Sequence, residues 1–178
     1  QQGLEIIRWQ LKELLPENFR NIAVDFQLLG ERESGSRRLL VSVIDLTVRE
    51  QYEELLAKAG FNAALIDFQS LQVYNCYRSK VDMGGDFIFV GLNQRHLSLL
   101  PVQNGLLEFH RAKSGLDDAE AVFRELNRSL VSFRSGQGSS RATLYLQNDW
   151  ADNERLHAAV ASAFEREVQP LPSPLATL

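Results

Sequence analysis

Residues 87–100 read FIFVGLNQRHLSLL. An apolar run stops at Gly91, passes through Asn93, Gln94, Arg95 and His96, and resumes at Leu97, which predicts two strands joined by a tight turn. Just downstream, Asn104-Gly105 is a two-residue hairpin signal, because both central residues of a type I′ turn need positive φ. That turn sets Val102 opposite Leu107 and Leu100 opposite Phe109, matching apolar residues across the pair. Three antiparallel strands are therefore predicted at 86–91, 96–102 and 106–112. A helix over 116–134 follows, with Leu116, Ala119, Phe123, Leu126, Leu130 and Phe133 in one stripe and Ser114 and Asp117 placed to cap it. Then come a loop at 135–140, a strand at 141–147, a helix at 153–165 and a strand near 166–171. The order βββαβαβ predicts an α/β fold of mixed sheets with flanking helices, RNase H-like, complete over 80–178.

Working upstream, SLQVYNCYRS at 70–79 reads as a helix and KVDMGG at 80–85 as a connector, with a composition break near residue 80. A partial first unit is expected over 1–79. It has a helix at 4–15 (Leu4, Ile7, Leu11 and Leu14 on one face, Pro16 ending it) and strands at 22–29, 39–45 and 61–68. GERESGSRR at 30–38 is a loop. Thr47 followed by Glu50 reads as a capping box opening a helix that Gly60 stops.

A chain of 178 residues can bury a sizeable core without disulfides. The single cysteine, Cys76, fits a reducing compartment and reads as a small core residue. A net charge of −4 and the lack of a basic stretch argue against nucleic acid as a partner. No apolar run approaches the roughly 20 residues that span a bilayer, and the start carries no signal-peptide pattern, so membrane association is expected to go through a partner protein. The start at Gln1, without methionine, suggests a trimmed fragment or processed product.

Candidate chemistry is sparse. His96 and His110 fall on paired strands, but the expected register turns them to opposite faces, so they cannot share a metal. His157 reads as a surface or boundary residue. Asp25, Asp45, Asp67 and Asp86 lie in or beside strands without a partner at a spacing that acid–base work demands, and capping is the expected role at strand ends. There is no serine-nucleophile elbow, no Walker loop and no dinucleotide fingerprint. RSGQGSS at 134–140 follows a helix rather than starting one, so the helix dipole points the wrong way for an anion.

Several phrases together resemble the middle of the PilM family, actin-like cytoplasmic proteins of type IV pilus assembly, with related domains in the type II secretion protein GspL. They are IIRWQLKELLP, VDFQLLG, LLVSVIDLTVREQYEELLAKAGFNAALIDFQSLQVYN, FIFVGLNQRHLSLLPVQNGLLEFHRAKSG and VFRELNRSLVSFRS. The resemblance implies an actin-like fold with nucleotide motifs that have degenerated. The family's first phosphate loop, Asp-x-Gly-Ser, would lie upstream of Gln1. Its second, a strand ending Val-Asp-Ile-Gly-Ala-Ser, sets its Asp on Gly91 and its Gly on Asn93, with Gln94 and Arg95 in place of small residues. Its late glycine-rich loop falls on QNDWADNE, where Gln147, Asn148, Asp149 and the bulky Trp150 stand.

The resemblance thus implies a non-catalytic scaffold without cofactor or metal, which binds the cytoplasmic N-terminal tail of a PilN-like inner-membrane protein in a pilus or secretion assembly platform. It would be cytoplasmic, held at the inner membrane through that partner. Trp9, Leu15 and Phe26 are the candidate contact residues, with Trp9 as a half-exposed anchor against the alternative that it simply packs on the adjacent strand. The competing expectations are an actin-like ATPase or kinase with a divergent site, and a binding module outside pili that shares only the fold.

Overall fold

The hairpin forms where the sequence places it. In the computed structural model, which describes residues 2–15, 21–31, 35–93, 95–134 and 142–172, strand β3 (Phe87–Asn93) pairs antiparallel with β4 (His96–Gln103), closing on Asn93 opposite His96. Asn104 and Gly105 both take positive φ, 51° and 73°, and turn β4 into the short β5 (Leu106–Leu107), with Val102 opposite Leu107. Beyond that the register slips. Strand β6 (Arg111–Ser114) pairs with β4 one residue out of step, His96 opposite Ser114 and Leu99 opposite Arg111. The expected pairing of Leu100 with Phe109 is therefore not made. Leu100 is buried beside Tyr77 and Phe89, whereas Phe109 packs on the other cluster with Val122 and Leu126. The slip also removes the parity argument that separated His96 from His110.

Helix α4 (Ala119–Arg134), strand β7 (Thr143–Asn148), helix α5 (Asn153–Phe164) and strand β8 (Gln169–Leu171) complete the βββαβαβ order. The sheet runs β5-β4-β3-β7-β8 with β6 on β4, and β7 is parallel to both β3 and β8. Parallel pairing buries both faces, so the central strands read almost wholly apolar. Ile88, Val90, Leu92, Leu97, Leu99, Leu144 and Leu146 face α4 and α5, where Val122, Leu126, Leu156 and Val160 are buried. Phe87, Phe89, Leu100 and Val102 face the helix α3 (Gln69–Val81) and its Tyr77 and Val81. Each such fully buried side chain contributes about 1.5–3 kcal/mol. Helix α4 opens later than expected, and Asp118 caps it rather than Ser114 or Asp117: its Oδ1 accepts from the Ala121 N–H at 2.7 Å.

The chain divides into two compact units, Gln1–Ile66 and Asp67–Leu178. Sequence composition changes near residue 80, but α3 groups with the second unit because Tyr77 and Val81 are core residues there. Cys76, on the other side of the same helix, is exposed rather than a core residue.

The first unit has helix α1 (Gln2–Leu14), strands β1 (Ile22–Glu31) and β2 (Arg37–Asp45) paired antiparallel, and helix α2 (Leu46–Lys58). Helix α2 is capped two residues ahead of the expected Thr47, by Asp45, whose carboxylate accepts from the Thr47 N–H at 2.7 Å. Gly60, at φ 83°, follows its end. The strand expected at 61–68 does not form. The segment is irregular and no strand of either sheet pairs with it among the described residues. An apolar run becomes a strand only where a ladder accepts its N–H and C=O groups.

Candidate functional site

The tip of the β3–β4 hairpin is latched. Arg95 sits at φ 67°, its carbonyl accepts from the Leu116 N–H at 3.2 Å, and its guanidinium pairs with the Asp117 carboxylate. Gln94 lies outside the described residues. Arg95 thus anchors the tip to the approach of α4, and Asn93 is engaged as the pairing partner of His96.

Gly91, which the resemblance sets against the family's phosphate-handling aspartate, lies mid-ladder. Ser98 is opposite it on β4 and Gln147 on β7, so the three form one row across the sheet. A β-carbon on Gly91 would fall 2.5 Å from Ser98 Oγ, 3.2 Å from the Phe89 ring and 3.6 Å from Gln147 Oε1. A side chain here would require Ser98 to move, so packing, and not a need for positive φ, disfavours one. Ser98 Oγ donates to the Gly91 carbonyl at 3.3 Å.

The stretch after β7 is held only in part by internal contacts, for Gln147 Oε1 and Trp150 Nε1 are buried without a hydrogen-bond partner. Gln147 is buried, and its amide donates to the Asp149 carboxylate. The Asp149 N–H donates to the Leu92 carbonyl at 3.1 Å, joining this loop to the end of β3. The Asn148 amide donates to Asn153 Oδ1 at 2.8 Å and its Oδ1 accepts from the Trp150 N–H at 3.0 Å. Trp150 packs against the α4–α5 core. At the position that the resemblance sets against the family's glycine-rich loop stand an indole packed on the core and an Asx turn. Tyr77, nearby on α3, donates its hydroxyl to the Pro172 carbonyl at 2.8 Å. Burial, with a smaller contribution from the Asp149 charge, pushes its pKa up to about 12.

The four strand-associated aspartates all accept backbone N–H groups: Asp25 from Phe26, Asp45 from Thr47, Asp67 from Phe68 and Asp86 from Asn104, at 2.7–2.9 Å. They fix local geometry, and no two of them are paired for acid–base work. His110 Nε2 lies 2.9 Å from Ser70 Oγ, and burial lowers its pKa. The glycine-bearing 135–140 segment lies outside the described residues.

The candidate contact residues all fall in the first unit. Trp9 is 66% exposed. Leu15 is half-buried just past α1, and Phe26 is exposed on β1. Leu28 and Leu39 are also exposed. Leu28 faces Leu39 and Phe26 faces Val41, so these four share one face of the ribbon. The signal was available in the pairing of VDFQLLG with RRLLVSV, had the register been set. Ile7 is the sole buried apolar residue of this unit among the described residues.

The class is that of the actin-like ATPase fold. The chain is similar to a solved protein of that fold and of unknown function from Bacteroides thetaiotaomicron, with TM-score 0.59 and 15% identity over 91% of this chain and 60% of the other. More extensively, it is similar to a chain of the PilM–PilN type IV pilus biogenesis complex, with TM-score 0.77 and 16% identity over 99% of this chain. It spans 63% of the length of that second structure's chain. At such identities the likeness is one of fold. No family model matches the chain, and no curated protein does. Among the described residues, no helix is long and apolar enough to cross a membrane.

Proposed function

We propose that this protein is a PilM-like scaffold that binds the N-terminal tail of a PilN-like inner-membrane protein and does not turn over nucleotide. Two observations support the reading together. The fold matches the PilM–PilN complex over 99% of the chain, and the position of the phosphate-handling aspartate is a glycine whose side-chain space the Ser98 hydroxyl occupies. The second carries the loss of chemistry. An actin-like site needs an acid to hold a metal-bound water and open backbone to receive phosphates, and the residues that the resemblance sets at those positions, Gly91 and the stretch 147–150, supply neither an acid at the first nor glycine at the second. A scaffold of this kind works in the cytoplasm, held at the inner membrane by its partner.

Tail recognition falls to the exposed apolar residues of the first unit: Trp9 on α1, Phe26, Leu28 and Leu39 on the ribbon, with Leu15 beside them in sequence. Large side chains left out in water are the kind that carry binding energy once covered. The test is a binding titration with a synthetic peptide of the N-terminal residues of a PilN-like protein. Saturable binding that weakens about tenfold or more in Phe26→Ala or Trp9→Ala supports the reading, each lost anchor costing about 1–2 kcal/mol. No binding, or binding indifferent to both substitutions, contradicts it.

A further inference from the structure

The β1–β2 ribbon has two long edges, and they are not equivalent. The Leu46 N–H donates to the Asn21 carbonyl at 3.0 Å, which makes 21 and 46 a hydrogen-bonded pair of the antiparallel ladder. Such pairs alternate with pairs whose N–H and C=O groups turn outward. Ala23 with Ile44, Asp25 with Ser42 and Gln27 with Leu40 therefore bond across the ribbon. Val24, Phe26 and Leu28 on β1, and Leu39, Val41 and Val43 on β2, turn their backbone groups away from each other.

On β1 that outward edge is guarded. Asp25 Oδ1 takes the Phe26 N–H at 2.8 Å, and the register shifts between Leu28 and Gly30. Side-chain capping and bulges are how proteins close an edge to further strands. On β2, the outward backbone groups of Leu39, Val41 and Val43 have no hydrogen-bond partner among the described residues. The same six residues carry the side chains of one face, on which Phe26, Leu28 and Leu39 are exposed. An open edge and an uncovered apolar face thus meet along β2.

We infer that an extended apolar peptide docks along the outer edge of β2 as a third strand of the ribbon, its alternate side chains lying beside Leu39, Val41 and Val43 and widening the apolar face that Phe26 and Leu28 begin on β1. This rests on the tail-binding reading and specifies its mode. Backbone pairing supplies register and affinity, and the apolar face supplies selectivity for a tail with apolar residues at every second position and no proline where an N–H must pair.

The experiment is amide hydrogen exchange on the intact protein, with and without a synthetic peptide of the N-terminal residues of a PilN-like protein. Two further peptides are N-methylated at alternate amides, in the two opposite phases. Expected are slowed exchange at Leu39, Val41 and Val43 on peptide addition, an unchanged Phe26 amide, and at least a tenfold loss of binding for one N-methyl phase only. If the peptide binds while the β2 amides exchange as before, or both phases bind alike, edge docking is wrong and tail binding stands. If the β2 amides are already protected in the free protein, another segment or a second copy fills the edge, and the inference is overturned. If no peptide binds, the tail-binding reading fails and this inference with it.

Discussion

Ser98 Oγ lies 2.5 Å from the place a β-carbon on Gly91 would take. The two residues face each other across the β3–β4 ladder, and the hydroxyl fills what the missing side chain leaves. Gly91→Ala should destabilise the protein by about 1–3 kcal/mol, the usual range for overpacking. Ser98→Ala should remove most of that penalty in the double variant. Chemical denaturation of the four proteins of the cycle measures the coupling; additive effects would mean that the serine is not the obstacle.

Glu125 is buried on α4 and holds two arginines of unequal standing. Arg111 Nε donates to its Oε1 at 2.7 Å, and Arg128 Nη1 to its Oε2 at 3.2 Å. Arg128 is mostly exposed, whereas Arg111 is not. Glu125→Ala, which leaves Arg111 without its carboxylate, should cost about 1–3 kcal/mol. Arg128→Ala should cost no more than about 0.5 kcal/mol, since solvent screens that pair. Equal losses in denaturant melts would refute the distinction.

His110 gives the fold a pH dependence of known sign. Burial lowers its pKa below the ordinary 6.5, so the neutral ring is the folded form, in contact with Ser70. The unfolded chain then binds a proton that the folded chain does not, in the window between the lowered pKa and about 6.5. Stability from this group is full above that window and falls as pH drops through it. Thermal melts from pH 8 to pH 5 should show this fall, and His110→Asn should flatten it. A variant with the same slope as the natural protein would reassign the effect.

Much of this fold could be read from FIFVGLNQRHLSLL and the Asn104-Gly105 turn, because side-chain alternation and turn chemistry are local. What failed were consequences of tertiary partners. The slip between β5 and β6 inserts one residue that no local pattern marks, and so Leu100 and Phe109 go to opposite clusters. Residues 61–68 have a strand's composition but no ladder to join. Cys76 lies on a helix whose buried side is set by Tyr77 and Val81, and it falls on the other. At the candidate site, the resemblance sets Gly91 against an aspartate, but the close approach of Ser98 to it needed three dimensions.

The loss of phosphate chemistry at Gly91 is the central claim, and one titration tests it most directly. Mg-ATP is titrated calorimetrically into the full-length gene product and, in parallel, into its Gly91→Asp variant. The account predicts no saturable heat at millimolar nucleotide for the natural protein, and none for the variant, because an aspartate at 91 would still meet Ser98 and the 147–150 stretch would still lack glycine. Saturable micromolar binding by the natural protein, abolished by a substitution at Gly91 or Gln147, would contradict it.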